Sequence, residues 1–275
     1  DFGGLNSVGQ APAAVYATTV PHLAFMIYQA MFAIITVALF TGAVVDRIKF
    51  SSLLVFATLW LTFIYAPVAH WVWGGGWLAK LGVLDFAGGA VVHINAGVSA
   101  LALAMLLGPR KGFAEKETME AHNIPLVMLG AGLLWFGWFG FNAGSALTAG
   151  GLASSAFVAT NTAGAAGAFT WMLLSWIYRR PTALGTVTGG VIGLAAITPA
   201  AGFVSPIMGI PIGIGAALVG YYSMLLRGKS RVDDSLDVLA CHGMGGIWGM
   251  LATGIFASIA VNAAGANGLI FGNIM

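Results

Sequence analysis

The chain has 275 residues, of which 59% are hydrophobic and 7% charged, with a mean hydropathy of +0.92 and a formal net charge of +2. Soluble domains carry about 25% charged residues, so a water-exposed globule is excluded, and so is a disordered chain, which needs charge and few apolar residues. A single cysteine excludes an internal disulfide framework, and the few basic residues exclude a broad nucleic-acid-binding face. What remains is an all-α polytopic membrane protein. Its forty glycines fit helices that pack closely in lipid.

A spanning helix needs about 20 mostly apolar residues. Eight stretches qualify, at 23–45, 50–70, 87–108, 123–144, 152–178, 183–200, 206–226 and 238–261. None alternates with the period of two found in membrane β-barrel strands. The segment Asp1-Phe2-Gly3-Gly4-Leu5-Asn6 reads as a loop ahead of the first span. The chain opens on Asp1 with no basic stretch leading a short apolar run, so a truncated N-terminus without a signal peptide is expected. Basic clusters follow the odd-numbered spans: Arg47 and Lys49; Arg110, Lys111 and Lys116; Arg179 and Arg180; Arg227, Lys229 and Arg231. Lys80 alone falls elsewhere. Two spans separate each cluster from the next, which puts all four on one side, the cytoplasmic one by the positive-inside rule. Both ends of the chain are then expected outside.

Most remaining ionisable residues have a plain explanation. Asp46, Glu115, Glu117, Glu120, Asp233, Asp234 and Asp237 lie beside the basic clusters and read as solvated loop charges or first-turn acids. His22 and His70 fall at span ends and His122 in a loop, which reads as interfacial. His93 and His242 differ, because each lies inside a span, where an ionisable residue is a functional candidate. Either could instead be a satisfied packing residue. Both begin an H-x-x-x-G pattern, ending at Gly97 and Gly246, and both follow an aspartate by eight residues, Asp85 and Asp234. That spacing sets each histidine about 12 Å along its helix, near the middle of a core about 30 Å thick. One helix enters from each side, as an inverted repeat with two midplane groups predicts.

Aromatics crowd the opposite end from the basic clusters. Trp71, Trp73 and Trp77 surround Gly74-Gly75-Gly76, and Trp135 to Phe141 lead into Asn142-Ala143-Gly144-Ser145. An aromatic belt at the headgroups explains Trp71 and Trp77. The alternative for one tryptophan is a ring face offered to a cation, with Ser145 as a hydroxyl acceptor beside it. The sequence has no Walker-type phosphate loop, no dense metal-ligand cluster, no serine-nucleophile motif and no Arg-rich span.

Three long motifs then carry a resemblance: Ala69-His70-Trp71-Val72-Trp73-Gly74-Gly75-Gly76, Leu84-Asp85-Phe86-Ala87-Gly88-Gly89 through His93-Ile94-Asn95-Ala96-Gly97, and Gly137-Trp138-Phe139-Gly140-Phe141-Asn142-Ala143-Gly144-Ser145. With Thr198-Pro199-Ala200 and Arg231-Val232-Asp233-Asp234 through His242-Gly243, the chain closely resembles the ammonium transporter family (Amt/Mep/Rh), in its microbial Amt branch. The resemblance implies a fold of eleven helices with an inverted repeat. The eight spans would be helices three to ten, in a single transmembrane domain over 1–275 that lacks the first two helices and the last. It implies recruitment of an external cation at Phe32, Trp73 and Ser145, a phenyl gate of Phe32 and Phe141, pore histidines His93 and His242, structural support from Asp85, and pore lining by Trp138 and Thr198. It also implies a plasma-membrane homotrimer that handles ammonium, ammonia or methylammonium, a PII-type regulator on the cytoplasmic face, and neither enzymatic activity nor a cofactor or metal. Three other functions compete: an ammonium sensor using the same site, a haem protein with both histidines as axial ligands, and a Rh-like gas channel, which normally departs at Trp73 and Ser145.

Overall fold

Hydrocarbon offers no hydrogen bonds, so a chain of this composition must satisfy its backbone internally, and helices do so within each segment. The computed structural model describes residues 2–115, 117, 119–178 and 180–272; Asp1, Lys116 and Arg179 lie outside them. Helix α1 covers His22–Thr41. Helix α2, Phe50–Trp60, passes through a π-helical turn at Leu61–Tyr65 into α3, Ala66–Val72. Pro67 explains that turn: it has no N–H for the preceding carbonyls, and a wider turn upstream absorbs the missing bond. A short α4, Trp77–Lys80, follows. Helix α5, Asn95–Leu107, is entered through a π-helical segment, Gly89–Ile94. Helix α6, Ile124–Ala143, is capped by the Asn123 side chain, which accepts Leu126 N–H at 3.0 Å. Helices α7, Gly151–Tyr178, α8, Ala183–Ile197, and α9, Gly209–Arg227, come next. The last, α10, Gly245–Phe256, is again entered through a π-helical segment, Leu239–Met244.

All eight expected spans coincide with helical segments. Among the described residues six are long and apolar enough to cross a membrane by length and composition alone. The other two are α7 and α8. Helix α7 is 28 residues long, but Ser, Thr, Asn and Gly dilute its apolar character. Helix α8 has 15 residues, and the chain leaves it through turns whose residues, 198–204, are all buried. A helix that ends inside the protein need not match the bilayer, provided its freed backbone is paired. Here Phe86 N–H donates to Pro199 O at 3.0 Å and Ser258 N–H to Phe203 O at 2.8 Å. The N-terminal loop holds more order than expected: Pro12–Ala13 and Ala17–Pro21 form an antiparallel ribbon, β1 and β2, which Thr19 Oγ1 ties to Leu147 O at 2.6 Å.

Two apolar clusters flank the centre. One gathers Ala159, Ala163, Ile192, Ile212 and Ala216 from α7, α8 and α9. The other gathers Phe32, Phe40, Trp60, Val91 and Ala100 from α1, α2, α5 and its π-helical entry. Large side chains such as Leu106 and Phe136 point outward, at 83% and 76% exposure, which suits a lipid-facing surface. Glycine lets the two π-to-α junctions meet. A Cβ on Gly97 would come within 2.3 Å of Gly243 Cα, and one on Gly246 within 3.0 Å of Ile94 Cγ1. Gly97 and Gly246 each lie four residues after their histidine, and each faces the residue that follows the other histidine. The two junctions therefore match position by position, as an inverted repeat demands.

The basic clusters meet at one end. Arg110 pairs with Asp233 at 2.8 Å and with Asp46 at 3.8 Å, Arg47 reaches Asp233 at 3.9 Å, and Arg227 pairs with Asp237 at 2.5 Å. Tyr178, next to the third cluster, lies 3.2 Å from Tyr222 on α9, at the same end as Arg227. Asp233 and Asp234 correct the expectation of solvated loop charges, since both are 1% exposed. Asp233 is the anchor of this end, gripped by Arg110 through its backbone N–H, Nε and guanidinium tip. Burial alone would push its carboxyl up, but the Arg110 hydrogen bonds and the charge of Arg47 outweigh that and hold it below the ordinary value.

Two predictions follow from this packing. Gly97→Ala, at the tightest junction, is expected to lower stability by about 1–3 kcal/mol, whereas Gly137→Ala, with open space around it, lowers it not at all; thermal unfolding in detergent measures both. A carboxyl held low stabilises the fold above its unfolded pKa and loses that contribution as pH falls through its folded pKa. The stability gap between the unsubstituted chain and Asp233→Asn should thus be widest at neutral pH and close on acidification, which unfolding midpoints from pH 7 downward will read.

Candidate functional site

Asp85 organises the first junction. Its Oδ1 accepts N–H from Gly88 at 2.8 Å and Gly89 at 2.6 Å, and its Oδ2 accepts from Ala90 at 2.8 Å and Val91 at 3.2 Å. One buried carboxylate thus meets the unpaired donors that open the helical segment. Gly88, at φ +116°, makes the turn that aims these donors inward. The backbone carbonyl of Asp85 also accepts the indole N–H of Trp73 at 2.8 Å. One residue therefore sets both the segment that carries His93 and the orientation of Trp73. Asp234 plays the matching part at the second junction, where its Oδ2 accepts Leu239 N–H at 2.7 Å.

The two histidines meet. His93 Nδ1 and His242 Nδ1 are 3.2 Å apart, with rings stacked at 5.2 Å and 17°. They are 0% and 7% exposed. A contact between two Nδ1 atoms requires one to carry a proton and the other to be bare. Two neutral rings then present unlike Nε2 atoms, one a donor and one an acceptor. His93 Nε2 is buried and finds no partner among the described residues. Among the described residues Tyr65 Oη and Asn142 Oδ1 are also buried without a partner, and what sets His93 Nε2 apart is its place on a ring paired with a second imidazole.

An aromatic column continues from this pair. His93 stacks on Trp138 at 5.4 Å and 17°, and on Phe141 at 6.0 Å and 30°. Phe141 meets Phe32 at 4.6 Å, and Phe32 meets Trp73 edge-on at 5.5 Å and 79°. Trp138 is held by its indole N–H, which donates to Thr198 Oγ1 at 2.9 Å, while Thr198 donates to Leu194 O at 2.8 Å. Phe32, Trp138 and Thr198 are buried; Trp73, Phe141 and Ser145 are half-buried. At the outer end Ser145 Oγ donates to Phe141 O at 2.9 Å.

The residues to which the family resemblance gave roles lie along this column or contact it: Phe32, Trp73, Asp85, His93, Trp138, Phe141, Ser145, Thr198 and His242. Trp71 and Trp77 stay out of it and pair with each other at 5.9 Å, exposed, as an interfacial belt would have them. His22 departs from its interfacial reading: it is 7% exposed, edge-on to Phe2 at 4.9 Å and beside Tyr16 at 6.0 Å. Sequence reasoning missed Tyr28, whose hydroxyl joins α1 to the end of α6 beside Ser145. The one available signal was its place a helical turn before Phe32, on the same face.

Comparison with known proteins came to one family. Residues 3–275 match the profile of the Ammonium Transporter Family. The ammonium transporter Amt1 of Archaeoglobus fulgidus is 56% identical over 272 residues, covering 99% of this chain and 68% of that protein. An ammonium transporter of Bacillus subtilis is 50% identical over 275 residues, covering 99% and 67%. The crystal structure of Saccharomyces cerevisiae Mep2 superposes with a TM-score of 0.92 at 38% identity, covering 99% of this chain and 64% of that one. The chain thus spans about two thirds of the length of these relatives.

Asp85 supplies a test of the local architecture. Asp85→Asn replaces one acceptor oxygen by an NH2 group that faces two N–H donors, so stability is expected to fall by about 1.5–3 kcal/mol, read as a lower unfolding temperature in detergent.

Proposed function

The chain belongs to the Ammonium Transporter Family, and from that premise we propose that it passes ammonium across a membrane by separating the ion from its proton. The observation that carries the reading is the imidazole pair: two Nδ1 atoms 3.2 Å apart, with His93 Nε2 buried and unpaired, at the inner end of an aromatic column.

The physical problem is the cost of a cation inside hydrocarbon, several kcal/mol even on lenient scales. Carbonyl or carboxylate rings would meet that cost by replacing water along the whole path. Among the described residues the column has neither. Its lining is rings, and a ring face favours a cation by about 2 kcal/mol or more once the cation is desolvated. In this reading ammonium sheds water against Trp73 and Phe32, with Ser145 accepting one N–H. Phe32 and Phe141 close the way to anything still hydrated. Past them the ion gives its proton to the bare His93 Nε2 while His93 Nδ1 passes its own proton to His242 Nδ1 and His242 Nε2 releases one beyond, so the proton travels separately through the pair and ammonia continues along His93 and His242. A neutral imidazole pair suits a neutral guest with a lone pair and N–H groups, since one Nε2 donates and the other accepts. Asp85 and Thr198 hold the lining in place without touching the cargo. Potassium has no proton to give and is refused at the phenyl pair. The basic end is read as cytoplasmic and the aromatic end as external, in a plasma membrane. The trimer and the PII-type regulator implied by the family resemblance remain part of this proposal.

His93→Ala is expected to cut ammonium uptake into proteoliposomes by about 100-fold, a typical loss for a proton-transfer group, and to narrow the preference for ammonium over potassium. Uptake with unchanged selectivity would count against deprotonation. Ammonium binding by the unsubstituted protein with no uptake at all would point instead to a sensor using the same residues.

A further inference from the structure

Charges at the basic end do not pair one to one. Asp233 engages two guanidinium groups, Arg110 at 2.8 Å and Arg47 at 3.9 Å. Arg227 is left to serve both Asp234 and Asp237. Its Nε meets Asp237 Oδ1 at 2.5 Å, with the two side chains 23% and 15% exposed. Asp234 is 1% exposed, and its Oδ1 has no partner among the described residues. The charges acting on Asp237 are Arg227 from α9, Asp234 from its own connection and Arg110 from the α5–α6 connection, and the Cys241 thiol faces it from the π-helical segment. One guanidinium for two secluded carboxylates leaves negative charge uncompensated. Burial therefore pushes the Asp237 carboxyl up, Arg227 pulls it back in part, Asp234 adds to the rise, and the result is about 6.

Asp237 also sits at a joint. Its φ of +54° is left-handed, a conformation few side chains adopt. The π-helical segment that carries His242 begins two residues later, and Asp237 O accepts Cys241 N–H at 2.9 Å. The Arg227 contact thus fastens that segment to the end of α9. A neutral carboxyl still accepts an N–H of Arg227 through its carbonyl oxygen. A proton binds a secluded, undercompensated carboxylate more tightly than the same carboxylate in water, so acid favours the fastened arrangement and ionisation favours one in which water reaches Asp237.

We infer that Asp237 and Arg227 form a proton-operated latch at the basic end, shut over the His242 segment when Asp237 is neutral and loosened, with water entering, when Asp237 is ionised. This rests on the transport reading above and deepens it: the proton that leaves His242 is released five residues from Asp237, so acid gathering on that side shuts the path by which it arrives. The competing role is a static ion pair, whose titration leaves the segment unmoved.

Hydrogen exchange by the full chain in detergent separates the two, read as protection factors so that the intrinsic pH dependence of exchange is removed. Between pH 5 and pH 7.5 protection of the Leu239–Met244 amides is expected to fall about tenfold, the size set by the gap between about 6 and the ordinary carboxyl value of 3.8. Asp237→Asn, which imitates the neutral acid, holds protection high at both pH values. In proteoliposomes at fixed outer pH, the initial rate of ammonium uptake by the unsubstituted protein rises with inner pH relative to that of Asp237→Asn. Equal protection at pH 5 and pH 7.5 in the unsubstituted protein overturns the inference, as does the same fall in Asp237→Asn or a ratio of rates indifferent to inner pH. Where Asp237→Asn fails to fold, the exchange profile of the unsubstituted protein decides. Absence of uptake by the unsubstituted chain overturns the transport reading, and the exchange profile then still decides the latch.

Discussion

Two imidazoles that share one hydrogen bond through like atoms cannot be alike: one must donate and the other accept. The contact between His93 and His242 imposes that asymmetry at the centre of a structure otherwise built from two matching halves. Much of the fold serves to bring these rings together. Gly97 and Gly246 remove the side chains that would hold the junctions apart, Asp85 and Asp234 cap the segments that carry the rings, and Trp138 supports His93 from one face. Both rings sit on π-helical turns, which are wider than α turns and recur at functional sites.

The halves match without being equal. Asp85 spends both oxygens on four N–H donors, whereas Asp234 leaves Oδ1 without a partner. The first aspartate also fixes Trp73 through its own carbonyl, so the aromatic end is tied to the histidine end by one residue. The second lies beside Asp233, on which Arg47 and Arg110 converge. Stiff capping at the aromatic end and ionic clamping at the basic end give the two sides different chemistry. That difference is what the proposed path needs, a cation entering where rings are offered and a neutral species leaving toward charged loops.

Much of this was legible in the residues. The eight apolar stretches, the period of the basic clusters and the shared H-x-x-x-G pattern anticipated the helices, the ionic end and the pairing of His93 with His242, because apolar length and charge spacing are read directly by the bilayer. The family resemblance also named residues as distant as Phe32 and His242, which ring contacts connect in the structure through Phe141 and His93. What escaped was set by neighbours rather than by pattern. Asp233 beside arginines looks like a solvated loop charge, and only the converging α1–α2 and α5–α6 connections bury it. His22 looks interfacial until Phe2 and Tyr16 cover it. Tyr28 looks like one more aromatic in an apolar helix, and its hydroxyl acquires meaning only when the end of α6 lies across it.

By itself, then, the sequence determined that this chain lives in lipid, where its apolar helices lie, which end gathers positive charge and which two buried histidines stand out, since each follows from composition and local spacing. The tertiary structure decided which atoms of those histidines touch, which rings line the approach and which acids are buried. Those depend on distances of a few ångströms between helices far apart in the chain, and no local pattern encodes them.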